Sequence, residues 1–574
     1  FADAQNRQYP ESGQASSPVR RIGRGGMRFQ HRIHRWRHPA SPRKATTSRR
    51  QVSPLARPTR LLGRGTAAFR REIRRGPALV SRTSRSHDLT AGTSSQPRLR
   101  VRLRLDIVLP LLILVLSLFQ NLDQVHVSPF HRDEARWIAR AHFLGDLTDP
   151  FGPTWNDYYL TNTQAPFGSY MMGLGLLLQG RDLETNAIWD FNFSQEWNVE
   201  NGAMPVPADL DAGRRMNAVL GALVAVIVYF IGRRLGNRVG ATLAAIFIAM
   251  HPLHILMSSQ ALSDVTLTFL LALLFLQTMR FSSRPTWPNA ILMAILIGFG
   301  GSAKLSPLLL SLPLAALGGF LLVRSYIRRW SREPAKDRAM AIRLLPQPVL
   351  AFAVFVAAFP YLWVDPIGRS YHMFTQRADE MLSQGTIWPD LAVGSPLEAL
   401  ARIGLRLGVT SSTSGRLGSS LTSMLSFENA TAHVAYGLDF LPALAGVVLL
   451  GALVVRYGLR SPHALIALLM GSEVGAIAIG MKADFNRYHL PIVLIMGICI
   501  AVSASTCWNA LARADAWKLL NVLPGVRVTP VTVTEKKRPV HAAPVPAGGG
   551  GDRKKDRSVP ATGTLQEDLL PGAD

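Results

Sequence analysis

Apolar runs dominate the chain between residues 105 and 508, where stretches of Leu, Ala, Ile and Val alternate with short polar breaks. A membrane-spanning helix needs about 20 predominantly apolar residues. Good candidates are 105–122, 216–232, 239–257, 262–280, 287–302, 306–323, 345–363, 437–456, 462–480 and 489–508. The pattern therefore predicts an all-α integral membrane protein with about ten transmembrane helices.

One further run, residues 165–180, is too short to cross comfortably and is interpreted as an interfacial or re-entrant helix. Cytosolic loops carry an excess of Lys and Arg. With 165–180 lying along the membrane, all strongly basic segments fall on one side: the N-terminus, 232–238, 280–284, 324–338, 456–460 and the C-terminal tail. Both termini are then expected to be cytosolic, in a multi-pass protein of the plasma (inner) membrane.

The same threading places two long segments on the opposite face. Residues 123–213 form a first outer loop, in which HRDEARWIARAHFLGDL (131–147) predicts an amphipathic juxtamembrane helix. Residues 364–436 form a large outer loop, long enough for a small lid-like or acceptor-binding region.

Composition changes the picture at the two ends of the chain. The 574 residues carry a formal net charge of +26, yet only 17% of them are charged, whereas a soluble protein has about a quarter. Residues 1–104, rich in Arg, and 509–574 are predicted to be disordered cytosolic tails around a membrane domain, 105–508. Part of residues 1–100 is expected to precede the natural start, since Met27 and Val101 are both conceivable initiators. Anionic membrane lipids are expected partners, and no specific nucleic acid is.

A few polar residues interrupt the apolar pattern at its outer boundary. They are Asp133–Glu134, Asp264, Lys304 and Arg487–Tyr488, with Arg214–Arg215 opening the second span against the charge bias. Each has a structural alternative, since carboxylates cap helices, lysines reach for the interface, and Arg and Tyr anchor helix ends. Together they fit a single chemistry, in which cations neutralise a lipid-linked phosphate as it leaves an anomeric carbon, while a carboxylate accepts the proton of an incoming hydroxyl.

These motifs carry a family resemblance over about residues 105–508. It rests on HRDEARWIARA, on QAPFGSYMMGLGLLLQG, on the stretch from RRMNAV to QALSD, on GGSAKLSP and on NRYHLPIVLIMG. In their order and spacing the chain resembles the GT-C membrane glycosyltransferases, in particular the protein O-mannosyltransferases and lipid A aminoarabinose transferases. The resemblance implies an all-α transferase that takes a sugar from a polyprenyl-phosphate donor, with inversion, on the extracytoplasmic face.

The resemblance also implies roles for single residues. Asp133 corresponds to the catalytic base, with Glu134 beside it, and Asp264 to a second outer-loop acid. Candidates for binding the donor phosphate or substrate are Arg215, Asp264, Lys304, Arg487 and Tyr488. The acceptor is expected to be a hydroxyl of a protein, lipid or glycan.

The chain departs from the family pattern at one place. Gln164-Ala165-Pro166 stands where relatives usually have His-Pro-Pro or Lys-Pro-Pro, so either another cation replaces the missing one or the donor site differs. No cofactor is certain, but a divalent metal is possible, with His131, His142 and Asp133 as candidate ligands.

Two rival functions remain on the sequence alone. A polytopic transporter or lipid flippase should carry ionisable residues within its spans, and Glu473 in MGSEVG is one such residue. A non-catalytic scaffold would use the acidic pair only as a helix cap. The grouping of charges at the outer boundary favours the enzyme, a hexosyl- or pentosyltransferase.

Overall fold

The computed structural model describes residues 96–156, 161, 164–327, 331–409 and 440–513. This part of the chain folds into helices joined by turns, and its β-type pairing is confined to an antiparallel bridge between Ala392 and Ala483. The all-α prediction is therefore confirmed. Most of the predicted tails, 1–104 and 509–574, lies outside the described residues, as do residues 410–439 of the large outer loop.

Eighteen α-helices are described in these ranges. They are α1 (Gln96–Val125), α2 (Arg132–Ala139), α3 (Phe167–Leu178), α4 (Gln195–Glu200), α5 (Pro207–Leu235), α6 (Arg238–Met250), α7 (Pro252–Ser258), α8 (Ser263–Ser283), α9 (Trp287–Ala303), α10 (Ser306–Leu309), α11 (Ser311–Tyr326), α12 (Pro334–Leu344), α13 (Gln347–Ala357), α14 (Pro366–Ile387), α15 (Pro396–Val409), α16 (Phe440–Tyr457), α17 (Pro462–Gly480) and α18 (Leu490–Arg513). Short 3-10 turns follow α2, at Arg140–Thr148, and precede α18, at Asn486–His489.

Eight helical segments in the described residues are long and apolar enough to cross a membrane. They are Leu105–Val125, Pro207–Leu235, Ser263–Ser283, Ser306–Tyr326, Pro334–Ala357, Phe440–Tyr457, Pro462–Gly480 and Asn486–Ala512. The pair α6 and α7 makes a ninth if its 58° bend, at the His251-Pro252 junction, lies within one span. The remaining predicted span, 287–302, corresponds to α9, an apolar helix that is shorter than the others. The chain is thus a multi-pass membrane protein.

Contacts between Cα atoms divide the chain into Phe1–Thr506 and Cys507–Asp574. The first unit holds α1 to α17 and most of α18. The described part of the second unit is the last two turns of α18.

Ion pairs gather the basic loops at one end of the helices. Asp337 accepts hydrogen bonds from Arg324 and lies 3.3 Å from Arg460, so the start of α12 meets the end of α11 and the loop after α16. Asp106 of α1 similarly pairs with Arg233 and Arg238 of the α5–α6 turn. The two clusters explain why arginine-rich loops from distant parts of the sequence lie together.

The candidate site residues lie at the other end. In α8, Asp264 is in the first turn and Arg280 in the last, and 21 helical residues span about 30 Å. The amide of Asn217, near the start of α5, donates to the carbonyls of Gln260 and Leu262 just before α8. The two helices therefore begin at the same end, and the fold separates the basic loops from the outer-boundary residues.

A buried ion pair holds the helices together at this second end. Arg214 of α5 donates from two nitrogens to the carboxylate of Glu134 of α2, each at 2.8 Å, and both side chains are almost fully buried. Arg214 also donates to the carbonyls of Val125 and Ser128, and Glu134 accepts from the backbone N–H of Ala261. The pair thereby links the end of α1, the start of α2, α5 and the segment before α8.

The start of α2 is fixed by a capping box. The His131 ring accepts a hydrogen bond from the N–H of Asp133, while Glu134 accepts one from the N–H of His131. Such reciprocal bonds satisfy backbone donors that a helix start otherwise leaves unpaired. Burial, reinforced by the charge of Arg487, lowers the pKa of His131 to about 4, so its ring is neutral and able to accept.

The short apolar helix α3 packs under this cap. It has 12 residues and is buried along most of its length, although Leu177 and Leu178 at its end are exposed. A Cβ on Gly168 would lie 2.8 Å from the ring of Trp137 and even closer to Ser263. Glycine at this position is what allows α3 to fit between α2 and α8.

The adjacent arginines of α5 give a matched test of the buried pair. Replacing Arg214 by Met leaves the Glu134 carboxylate buried without its cation, which should cost about 3–5 kcal/mol. Replacing the half-exposed Arg215 by Met should change stability by no more than about 0.5 kcal/mol. Thermal unfolding of the detergent-solubilised variants measures both. Equal melting temperatures for the two variants would contradict the assignment.

The His131 cap predicts a stability change in acid. The unfolded chain takes up a proton near pH 6.5, whereas the folded ring does so only near pH 4. Between these values the unfolded state binds more protons, so stability is lost as pH falls from 6.5 and levels off below 4. His131→Asn keeps an acceptor at the cap but does not titrate. Its melting temperature should fall less over this range, and parallel curves would refute the prediction.

Candidate active site

A cavity of about 350 Å³ opens at the end of the helices opposite the basic loops. Its walls come from α2, the start of α8, the Lys304–Ser306 turn, α14, the end of α17 and the start of the last span. The volume lies within the range of about 300–1,000 Å³ that is usual for ligand pockets.

Five of the seven sequence-predicted site residues line this cavity. They are Asp133, Asp264, Lys304, Arg487 and Tyr488. They come from four separate parts of the sequence, and the fold alone brings them together. Their catalytic and binding roles stay predictions. These roles require side chains that lie around one cavity, and the five residues do.

Two of the carboxylates that line the cavity are paired with cations. Arg487 is hydrogen-bonded to the carboxylate of Asp133, and Lys304 to that of Asp264. Tyr488 lies beside both cations, with its ring centre 5.3 Å from the Lys304 ammonium and 5.6 Å from the Arg487 guanidinium. Each cation therefore has a carboxylate and an aromatic face as neighbours, and each remains partly exposed to the cavity.

The structure does not bring Glu134 or Arg215 to the cavity. Glu134 is fully buried and is taken up by Arg214 and two backbone N–H groups, so it has no path to a substrate. Arg215 points away, donates to Gln179 at 2.8 Å and lies 3.9 Å from Asp211. Successive helical residues point about 100° apart. This is why Asp133 and Glu134 end in different surroundings, as do Arg214 and Arg215.

Helix α14 of the large outer loop supplies cavity residues that the sequence did not indicate. Arg377 pairs with Glu380 at 2.6 Å, and Gln384 accepts a hydrogen bond from the Tyr488 hydroxyl at 3.3 Å. Burial opposes the charged form of Arg377, but the neighbouring Tyr488 and Glu380 outweigh it and raise its pKa. No short motif marks these positions, since they reach the site only through the packing of a distant loop.

At the position before α3 where the family pattern has a cation, this chain has Gln164, which contacts a buried arginine. Gln164 lines the cavity and accepts hydrogen bonds from buried Arg140 through both its side chain and its carbonyl. Arg140 is itself not part of the cavity wall, whereas Arg136, one turn earlier in α2, is. Within the described residues, the cations of the wall are Arg136, Lys304, Arg377 and Arg487.

The candidate metal ligands do not form one group. His142 pairs with Asp146 at 2.7 Å, away from the cavity, while His131 caps α2 and Asp133 faces Arg487. Among the residues that the structure describes, no three His, Cys, Asp or Glu side chains are gathered as a metal site would need. We therefore assign no step to a metal.

Comparison with solved structures finds a distant likeness. The oligosaccharyltransferase of Archaeoglobus fulgidus in complex with Zn and sulfate matches with 14% identity and a TM-score of 0.42, covering 72% of this chain and 51% of that one. The apo form of the same enzyme matches with 15% identity and a TM-score of 0.41, covering 71% of this chain and 52% of that one. The chain thus spans about half the length of these structures, and at such TM-scores the likeness carries no argument about the site.

Comparison with protein families is more informative. No curated protein sequence matches the chain. Residues 155–362, however, match the family described as dolichyl-phosphate-mannose-protein mannosyltransferase. This segment contains Arg215, Asp264 and Lys304, while Asp133 and Arg487 lie outside it. The resemblance to the GT-C membrane glycosyltransferases is thereby confirmed, through similarity to the protein mannosyltransferases over this part of the chain.

Proposed function

We propose that the chain is a membrane glycosyltransferase that moves a sugar from a polyprenyl-phosphate donor to a hydroxyl acceptor. The observation that carries this is the gathering of Asp133, Asp264, Lys304 and Arg487 around one cavity at the end of the spans. The matching family is named for a dolichyl-phosphate-linked mannose and a protein acceptor, which supports this class of donor.

Asp133 is the proposed general base. It lies in the first turn of α2, partly exposed to the cavity, and its neighbour Glu134 is fully engaged elsewhere. The acceptor O–H gives its proton to the Asp133 carboxylate, and the acceptor oxygen bonds to the anomeric carbon of the donor. The bond from that carbon to the phosphate oxygen breaks, and the phosphate keeps the electron pair. A single displacement of this kind inverts the anomeric centre.

Lys304 and Arg487 are proposed to bind the donor phosphate. The phosphate gains negative charge as it leaves, so cations close to it stabilise the transition state more than the ground state. In the free protein both cations are held by Asp264 and Asp133. A phosphate that takes Arg487 from Asp133 would leave that carboxylate free to accept a proton, so donor binding prepares the base.

The orientation follows from charge. The basic loops lie at one end of the helices and the cavity at the other, and loops rich in Lys and Arg face the cytosol. We therefore place the cavity on the extracytoplasmic face of the plasma (inner) membrane and both termini in the cytosol.

A transporter or lipid flippase is the alternative, favoured by one observation. Glu473 is fully buried within the span Pro462–Gly480, as a proton-coupled carrier would require. Purified protein can be incubated with radiolabelled polyprenyl-phosphate sugars and membrane extract as acceptor. Label that leaves the lipid for a new product supports the transferase, whereas label that crosses vesicle membranes unchanged supports the alternative.

Asp133→Asn tests the base directly. The amide cannot accept the acceptor proton, so transfer should fall by about 10²- to 10⁴-fold, the usual contribution of a general base. The protein should still elute as a folded species, because Glu134 and Arg214 remain. Asp182→Asn, an exposed change in the same outer loop, is the matched control. Transfer by Asp133→Asn at the rate of this control would remove Asp133 from the mechanism.

Labelling of single cysteines tests the orientation. Ala187 and Thr286 are both exposed and lie beyond opposite ends of the spans, in the first outer loop and between α8 and α9. With Cys507 replaced by Ser, Ala187→Cys should react with a membrane-impermeant maleimide in intact cells. Thr286→Cys should react only after permeabilisation. Reaction of both before permeabilisation, or the reverse order, would be inconsistent with the proposed topology.

A further inference from the structure

One polar group of the cavity wall is a carboxyl that the proposed reaction does not use. Glu473 of α17 lines the cavity and is fully buried, and neither of its oxygens has a hydrogen-bond partner in the described part of the chain. It lies seven residues before Gly480, the outer end of α17. At 1.5 Å per residue, the two residues are about 10 Å apart along the helix axis.

A second unpaired polar group lies on α8, which also lines the cavity. The hydroxyl of Ser263, at the start of α8, is buried, lines the same cavity and has no hydrogen-bond partner among the described residues. Most buried polar side chains in proteins are hydrogen-bonded, because leaving them unpaired is costly. Two exceptions on one cavity therefore point to a ligand that supplies the partners.

The surroundings of Glu473 favour its uncharged form. Its neighbours along the cavity wall of α17 are Ala476, Ile477 and Gly480. The Lys304 ammonium is bonded to Asp264 and not to Glu473. A buried carboxyl without a bonded cation takes up a proton rather than remain charged. A protonated carboxyl both donates and accepts hydrogen bonds.

These properties select among the parts of a lipid-linked donor. The polyprenyl chain is apolar and would leave both groups unpaired, and the ionised phosphate diester accepts hydrogen bonds but has none to donate. A sugar hydroxyl both donates and accepts, as do Ser263 and the neutral Glu473. The sugar is also the part that is joined to the phosphate, which the proposed function places at Lys304, beside the Asp264 that follows Ser263.

We propose that Glu473 and Ser263 form a subsite that binds hydroxyl groups of the donor sugar, with Glu473 acting as an uncharged hydrogen-bonding group. The proposal rests on the proposed function for the identity of the donor. Glu473 is then a specificity-determining residue rather than part of the proton transfer, which Asp133 performs. Its placement inside an apolar span is explained by the ligand and not by the fold.

Stability of the full-length protein is the first test and needs no substrate. Glu473→Leu has a similar size and removes a polar group that bonds to nothing in the described part of the fold. Its melting temperature should equal or exceed that of the wild type. A melting temperature well below the wild type would show that Glu473 has a structural partner, and the subsite assignment would be overturned.

Donor kinetics with the active polyprenyl-phosphate sugar give the second test. Glu473→Leu and Ser263→Ala should each raise KM for the donor by about five- to tenfold, the effect of one neutral hydrogen bond. KM for the acceptor should not change. Glu473→Gln, which still donates and accepts, should stay within about threefold of the wild type. Unchanged donor KM in both Glu473→Leu and Ser263→Ala would overturn the proposal.

Monodeoxy donors identify the contact. Removing the hydroxyl that meets Glu473 should weaken donor binding to the wild type but not to Glu473→Leu. A loss in Glu473→Gln as large as that in Glu473→Leu, with preference for an amino sugar, would show an ionised carboxylate and refute the neutral assignment. If the folded wild type transfers no sugar from any polyprenyl-phosphate donor, the proposed function fails and the donor-sugar assignment fails with it. Kinetic failure of the subsite alone leaves wild-type transfer intact.

Discussion

The buried pair of Glu134 and Arg214 is the constraint on which the active end of the molecule depends. A carboxylate and a guanidinium taken out of water are tolerated only when every donor and acceptor is satisfied. Here the remaining bonds go to carbonyls that end α1 and to the N–H of Ala261 before α8. The pair can thus form only when α1, α2, α5 and α8 are in register. Asp133, one residue earlier, is then turned toward the cavity rather than into the helix packing.

Charge is distributed differently at the two ends of the helices. At the basic end, Asp106 and Asp337 each serve two arginines, and the surplus is positive. At the cavity end, each of three cations has its own carboxylate: Arg487 has Asp133, Lys304 has Asp264 and Arg377 has Glu380. Each of these three cations is thus neutralised by its partner. An anion that binds one of them displaces the carboxylate, which then becomes available.

Much of this arrangement could be predicted from the sequence, because it follows from one-dimensional signals. Apolar run lengths gave the helices, and the Lys and Arg bias separated the two ends. The sequence did not indicate the direction in which each side chain points around its helix. Glu134 was therefore grouped with Asp133, and Arg215 was preferred to Arg214. The H-x-x-E capping pattern at His131–Glu134 could have identified Glu134 as structural. Arg377 and Glu380 carried no signal, since a contact between residues a hundred positions apart depends on tertiary packing.

Hydrogen bonds join the described part of the outer loop to the segment before α18. The bridge at Ala392 and Ala483 is closed by two backbone hydrogen bonds, and Asp484 then holds buried His489 at 2.7 Å. The end of the loop that lines the cavity and the turn that carries Arg487 are therefore tied together. The Asp133–Arg487 pair joins this turn to α2. In the proposed mechanism, an anionic donor that binds Arg487 breaks this contact and frees the base in the same step, so donor binding and base activation depend on a single ion pair.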